Sequence, residues 1–422
     1  MSKAVMGAAA VAVLVGAGAA GCWYTGDLFD KQVPLQLGTA QRESGLVFQW
    51  QPTSSNLLTR EADLRIELTP ELASSLDADL VLDKPLELYL HTRTRIMPLY
   101  TSTEISLDMS RGDLAKTLTR MGLQNWKPVM QSHNSFWNSN TVTVLSLPEA
   151  NVDSDGEQLK LMPLEMRFDG DFNGSGQVAL SWAGMTYRQP SQQVECNIGR
   201  VDGTAELKAV DNILMVPSSQ AKVAGFSLNV GEGMKFDMQG MTSSSTLQGD
   251  SADTLASHYQ LGIGQFKMAM EGETVELADT ALDAHIKGMD MKGYHTLLQA
   301  NADPKKDEAK LQMALDQLLA RGATLELTNL AAKVNQAPVS LKGNLVLAPT
   351  TLEKLTGGDE GLNALNGQFA AELSNKLGQA LPQVAPWLEH LGSIGYLKSE
   401  GDLLKADIQL AKGAVTINGQ PL

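Results

Sequence analysis

Apolar and polar residues alternate strictly at Ala62, Leu64, Ile66 and Leu68, with Glu61, Asp63, Arg65 and Glu67 between them. A period of two belongs to a β-strand with one wet face and one covered face. The rhythm returns at Leu86, Leu88 and Leu90, at Ile105, Leu107 and Met109, at Val142 and Val144, at Val178, Leu180 and Trp182, and at Phe226, Leu228 and Val230. Asn173-Gly174 and Asp202-Gly203 tolerate positive φ and predict hairpin turns, so the middle of the chain reads as successive antiparallel strands. Tyr259, Leu261 and Ile263 run out of phase into Phe266, Met268 and Met270, which predicts a bulge or a change of sheet face.

Helical spacing comes mostly late. Asp303-Pro304 marks a helix start, Leu311, Leu315, Leu318 and Leu319 form one stripe, and Gly322 ends it. Leu377, Leu381, Val384, Leu388 and Leu391 form a second stripe that Pro382 and Pro386 must break or kink. Strand patterns close the chain as a hairpin about Lys412-Gly413. The expectation is a mainly β, α+β protein: an N-terminal membrane helix, then a long curved antiparallel sheet with a few amphipathic helices concentrated in the C-terminal third. Residues 1–25 form the anchor or a lipoprotein signal, 26–290 a β-rich body, and 291–422 a helix-strand region on the same sheet.

Residues 4–21 carry no charged or strongly polar side chain, and at about 1.5 Å per residue they nearly cross a hydrocarbon core of about 30 Å. Ala4, Leu14, Gly16 and Gly21 belong to this anchor, and Trp23 and Tyr24 supply an interfacial aromatic belt. Lys3 before the segment and Asp27 and Asp30 after it place the body outside the cytoplasm. Two other readings stay open: Ala19, Ala20, Gly21 and Cys22 approximate a lipobox with lipidation at Cys22, and the segment suits simple cleavage. Gly16, Gly18 and Gly21 also spell the dinucleotide-binding GxGxxG, but Gly26 and Pro34 are expected to interrupt its helix and residues 46–51 end in Gln rather than an acid. Ala8, Ala12, Gly16 and Ala20 recur every four residues, a stripe that lets two membrane helices approach closely as a homodimer.

A formal charge of −15 argues against nucleic acid as a partner. Two cysteines are too few for a disulfide framework, and Cys196, alternating with Val194 and Ile198, reads as an apolar strand position. Asp169, Asp171, Asn173 and Gly174 open like a calcium loop, yet position twelve is Leu180, so a hairpin turn is expected. No histidine stands at ligand spacing with another: His285 and His295 flank a Gly- and Met-rich stretch and His133 lies near Trp137, all read as surface or loop residues. Ordinary packing is expected of Met234, Met238, Met241, Met268, Met270, Met289 and Met291. No GxSxG, P-loop or HExxH occurs, and no metal, cofactor or catalytic residue is assigned.

The layout resembles the YdgA family of Gram-negative envelope proteins. The resemblance rests on the segment ending Trp23-Tyr24-Thr25-Gly26 and on Arg321-Gly322 leading into Ala323-Thr324-Leu325-Glu326-Leu327. It extends to Leu341-Lys342-Gly343-Asn344-Leu345, Leu404-Lys405-Ala406-Asp407-Ile408 and the terminal Val415-Thr416-Ile417-Asn418-Gly419-Gln420-Pro421-Leu422. It implies a single-pass bacterial inner-membrane protein with a periplasmic body and without assigned catalytic residues. The expected function is a non-enzymatic envelope component whose apolar β groove takes lipid or a partner protein. The alternatives are a dimeric scaffold of the envelope or a lipoprotein held through Cys22.

Overall fold

The computed structural model describes the chain apart from residues 1, 2, 77–81, 83, 155, 211, 212, 232, 271, 303–307 and 358, and the side chains of residues 3–16, 36, 39, 42, 43, 71, 75, 76, 213, 301, 302, 359 and 360 are likewise outside it. Two compact units emerge, Met1–Trp182 and Ala183–Leu422. Both are mainly antiparallel β-sheet. The expected division at residue 290 falls inside the second unit.

The first unit opens with one helix, α1 (Lys3–Ser44), followed by β1 (Val47–Ser55), β2 (Thr59–Leu68), α2 (Pro70–Leu76), β3 (Leu86–Met97) and β4 (Tyr100–Leu107). Then come α3 (Gly112–Arg120), β5 (Val129–Ser135), β6 (Asn140–Leu147), β7 (Ala150–Ser154), β8 (Glu157–Leu161), β9 (Leu164–Asp171) and β10 (Gly176–Trp182). Hydrogen bonding runs β1-β2-β3-β4-β5-β6-β9-β10, antiparallel throughout, with β7 and β8 as a side hairpin. That hairpin and α3 enclose a small core of Leu118, Leu123, Ala150 and Val152. Contrary to the sequence expectation, Gly26 and Pro34 do not interrupt α1, which continues through both.

The expected alternation is met in β2 and β3. Asp63 pairs with His91 and Arg65 with Tyr89 on one face, while Ala62 and Leu64 oppose Thr92 and Leu90 on the other. The wet face is a charge network. Arg111 donates to Asp63 (2.7 Å) and Asp108 (2.7 Å) and lies 5.1 Å over the Tyr89 ring, Tyr89 donates to Glu87 (2.8 Å), and Glu87 pairs with Arg65. The hydrogen bond from Arg111, and next that from His91, holds the Asp63 carboxyl below its usual range. A carboxyl so lowered stabilises the fold above the ordinary value near 3.8, and that contribution disappears as pH falls through the lowered one. Asp63→Asn is therefore expected to flatten the acid limb of a stability-against-pH curve recorded by urea unfolding between pH 5 and pH 2. An unchanged acid limb would refute this role for Asp63.

The second unit contains β11 (Met185–Gln189), β12 (Val194–Ile198), β13 (Val201–Val210), β14 (Ile213–Val230), β15 (Met234–Gly249), β16 (Thr254–Met270) and β17 (Glu273–Asp290). The helices α4 (Met291–Ala302) and α5 (Glu308–Leu319) precede β18 (Ala323–Val334) and β19 (Ala337–Leu347). After them come α6 (Leu352–Thr356), α7 (Asp359–Asn363), β20 (Leu365–Ser374), α8 (Leu377–Ala380), α9 (Ala385–Ser393), β21 (Lys398–Glu400), β22 (Leu403–Ala411), β23 (Ala414–Ile417) and β24 (Gln420–Pro421). Strands from β14 to β20 pair with their sequence neighbours, and β22 closes on β20.

The Leu-rich stripe forms α5, whereas the expected start at Asp303-Pro304 lies outside the described residues. Pro382 does break its run, with Pro386 in the first turn of α9. Asp202-Gly203 makes no turn: both residues lie inside β13, opposite Lys222 and Ala221. The phase change of β16 is not a bulge against β15, whose register holds from Gln239↔Gln265 to Met241↔Ile263. Gly240, between them, has φ +67°, and Asp279 of β17 has φ +50°, so the strands turn at the same level. Register shifts lie elsewhere: between β16 and β17 at Leu255/Ser257, and between β17 and β18 at Ala278/Ala281 and Asp283/Ala284.

The motifs that carry the resemblance have structural work to do. Asn418 starts the last turn with φ +51°; its amide donates to the carbonyls of Tyr396 (3.0 Å) and Lys405 (3.2 Å), and its Oδ1 accepts from the Asp407 amide (3.0 Å). Asn335 does the same for the β18–β19 turn, donating to Ala380 O (2.7 Å) and accepting from the Glu276 amide (2.7 Å). Both side chains bind turn to neighbouring strand where backbone groups would otherwise be unpaired.

Candidate functional site

The floor of a groove in the first unit comes from β3 to β6 and its roof from α1. Phe29, Val33 and Leu37, four residues apart, bring one helix face over Trp50, Leu64 and Ile105, and Phe168 and Phe172 form the opposite lip. The groove measures about 380 Å³, within the usual range for small-ligand sites. Its floor is not simply apolar. Thr92, Thr103, Ser132, Asn134, Thr141 and Thr143 line it. These groups find partners within the sheet: Thr92 donates to Ala62 O (2.9 Å), Thr94 shares a hydrogen bond with Thr103 (2.9 Å), Thr143 donates to Ser132 (3.1 Å) and Thr141 to Asn134 (2.7 Å). Saturated hydroxyls cost little to cover with an apolar ligand, since none loses a water partner it needs.

The helix is seated by small residues. Thr25, fully buried, donates to Gly21 O (2.8 Å) and accepts the Leu99 amide (2.6 Å), which ties α1 to the tip between β3 and β4. Gly21 faces Pro98 so closely that a Cβ there would sit 2.8 Å from the proline ring. Cys22, buried with Phe29 and Ile96, points its thiol at Ile96 O (3.9 Å). The tip between β5 and β6 joins this end through the Phe136 amide to Leu99 O (2.9 Å). At this level Trp23 is 67% exposed, Tyr24 49%, Met97 41% and Trp137 83%.

Of the expected anchor and dimer positions, Ala4, Ala8, Ala12, Leu14 and Gly16 are helical, with side chains outside the described residues, while Ala20 is exposed. Among the described residues no helix is long and apolar enough to cross a membrane. The GxGxxG residues and the Val13, Leu14 and Val15 before them all lie within α1, where a dinucleotide site requires a strand.

Two readings of the histidines are overturned. His133 lies on β5, not in a loop, and stacks on Tyr100 at 6.2 Å. His258 and His285, which sequence spacing left unrelated, are direct cross-strand partners on β16 and β17. Their rings stack at 3.9 Å with an interplanar angle of 5°. Asp283, two residues before His285 and so on its side of the strand, reaches both: Oδ1 lies 3.0 Å from His258 Nε2 and 3.5 Å from His285 Nε2. Its Oδ2 accepts from Gln260 (2.8 Å). That bond first, then the one from His258, holds the Asp283 carboxyl below its usual range against the opposing effect of burial. The readable signal was His-x-Asp spacing in an alternating strand, which puts both side chains on one face.

The calcium-like loop is the expected turn. Asp171 Oδ1 accepts the amides of Asn173 (3.2 Å) and Ser175 (3.0 Å), and Asp169 pairs with Arg167 (2.9 Å). Cys196 stands opposite Leu228 on β12, as its alternation predicts. Met234 faces Met270, and Met238 faces Phe266 beside an edge-to-face ladder of Phe226, Phe236 and Phe266.

No curated protein and no solved structure matches the chain. The model of one family, described as a bacterial protein of unknown function (DUF945), matches residues 1–422. The chain belongs to this bacterial family of unknown function, DUF945.

Proposed function

We propose that the protein is an inner-membrane-attached periplasmic binding component, of the kind its likeness to YdgA proteins implies, whose groove beneath α1 takes an acyl chain of a membrane lipid. The observation that carries this reading is one helix with two roles. Residues 4–21 are apolar, and Phe29, Val33 and Leu37 of the same helix roof the groove. Eight residues separate Gly21 from Phe29, about 12 Å of helix, so a chain leaving a bilayer at Trp23 has a short path. Exposed Trp23, Tyr24, Met97 and Trp137 at the entry end suit the headgroup region, where aromatic side chains gather. Burial of Cys22 in an unbroken helix supports an uncleaved anchor over a lipidated N-terminus. The reading is non-enzymatic, since the groove's hydroxyls bond one another and none is aligned on a base.

The test is titration of the full, delipidated chain in a non-lipid amphipol with a fluorescent fatty acid, alongside its Val33→Trp variant. Saturable binding in the micromolar range is expected, weakened at least about tenfold when the tryptophan fills the groove. Absence of saturable binding, or equal binding by a folded variant, overturns the proposal. The intact mass of the same sample separates a Met1 or Ser2 start from a diacylated Cys22.

A further inference from the structure

The second unit places three metal-ligating side chains on neighbouring strands, far from the groove residues in sequence and unrelated to the acyl reading. We propose that His258, Asp283 and His285 bind a divalent transition-metal ion, with zinc the ion best suited to two imidazoles and a carboxylate. Their donor atoms all lie within 4.8 Å of one another. Tetrahedral bonding at about 2.0–2.1 Å sets neighbouring donors roughly 3.3 Å apart, and the two separations from Asp283 Oδ1, 3.0 and 3.5 Å, bracket that value. Because the rings stack in parallel, both imidazoles must tilt out of the stack for their in-plane Nε2 lone pairs to converge on one ion with Asp283 Oδ1.

The surroundings fit a metal better than a plain ion pair. Once tilted, the two imidazoles and the carboxylate offer a divalent cation two nitrogen donors and one oxygen donor. Gln260 holds the far oxygen of Asp283 at 2.8 Å, the kind of outer hydrogen bond that orients a metal-binding carboxylate. Glu326, the cross-strand partner of His285 on β18, adds negative charge beside the ring while paired with Lys287 at 2.9 Å. The three ligands are each half-buried, and Gln260 and Asp283 also line a groove of about 500 Å³. Entry for the ion is open, and three protein ligands leave one position for water or a small oxygen ligand.

The full chain, purified without a polyhistidine tag and stripped with chelator, is titrated with zinc chloride by calorimetry and with cobalt chloride by visible absorption. One equivalent of zinc is expected, together with the intense visible bands of tetrahedral cobalt, bleached by added zinc. His285→Ala and His258→Ala should weaken zinc binding at least about 100-fold, Asp283→Asn about tenfold or more, and His295→Ala should change nothing. Binding that is absent, non-stoichiometric or indifferent to the first three substitutions overturns the site. The cobalt bands of the unaltered protein decide the matter even where a variant fails to fold.

Discussion

Ile96→Ala is expected to destabilise the first unit by about 3 kcal/mol, and to do so by loosening α1 from the sheet. Ile96 is 1% exposed and packs against Cys22 and Phe29, so truncation removes transfer energy and leaves a void beneath the helix. Its backbone is committed on both sides, the amide donating to Leu58 O at 2.7 Å and the carbonyl facing the Cys22 thiol, so collapse into the void is resisted. Urea unfolding followed by tryptophan fluorescence measures the loss. Limited proteolysis near Gly45 should accelerate alongside it. A loss below about 1 kcal/mol, with unchanged proteolysis, would mean that α1 is not seated on this residue.

Gly322→Ala should cost at least about 3 kcal/mol in the second unit. Gly322 has φ +75°, where an L side chain carries a penalty of about 1–2 kcal/mol. Its added Cβ would also lie 2.3 Å from Leu347 O and 3.1 Å from Pro349 N, contacts that backbone cannot yield without moving the start of β18. Gly401→Ala is the internal control: φ is +62° but nothing lies within 4 Å of the new Cβ, so only the conformational penalty applies. Thermal unfolding of the two variants should separate them clearly. Equal losses would show that the close approach to Leu347 contributes nothing.

What the sequence revealed followed from the range of the interactions. Alternation is local, so β2, β3 and β10 were legible, and the Asp171–Ser175 hydrogen bonds were implied by the turn residues themselves. Asp202-Gly203 misled because turn propensity is weak beside a pairing that extends along β13 from Val201 to Val210. Pro34 misled similarly, since the packing of Phe29 and Val33 outweighs one missing backbone donor. The groove needed the curl of the sheet to bring Phe168 and Phe172 opposite α1, which no local pattern encodes. His258 and His285 are 27 positions apart, and only the register of β16 on β17 makes them neighbours. Spacing rules drawn from helices and knuckles pass over such pairs.

Because α1 runs unbroken from Lys3 to Ser44, changes of length within it act as changes of angle. One residue inserted before Gly21 would turn everything upstream by about 100° about the helix axis while moving it only about 1.5 Å. Two would nearly reverse its bearing, and seven would almost restore it. A flexible tether would register the added distance alone; this helix acts as a crankshaft, with the seat at Gly21, Thr25 and Pro98 as its bearing.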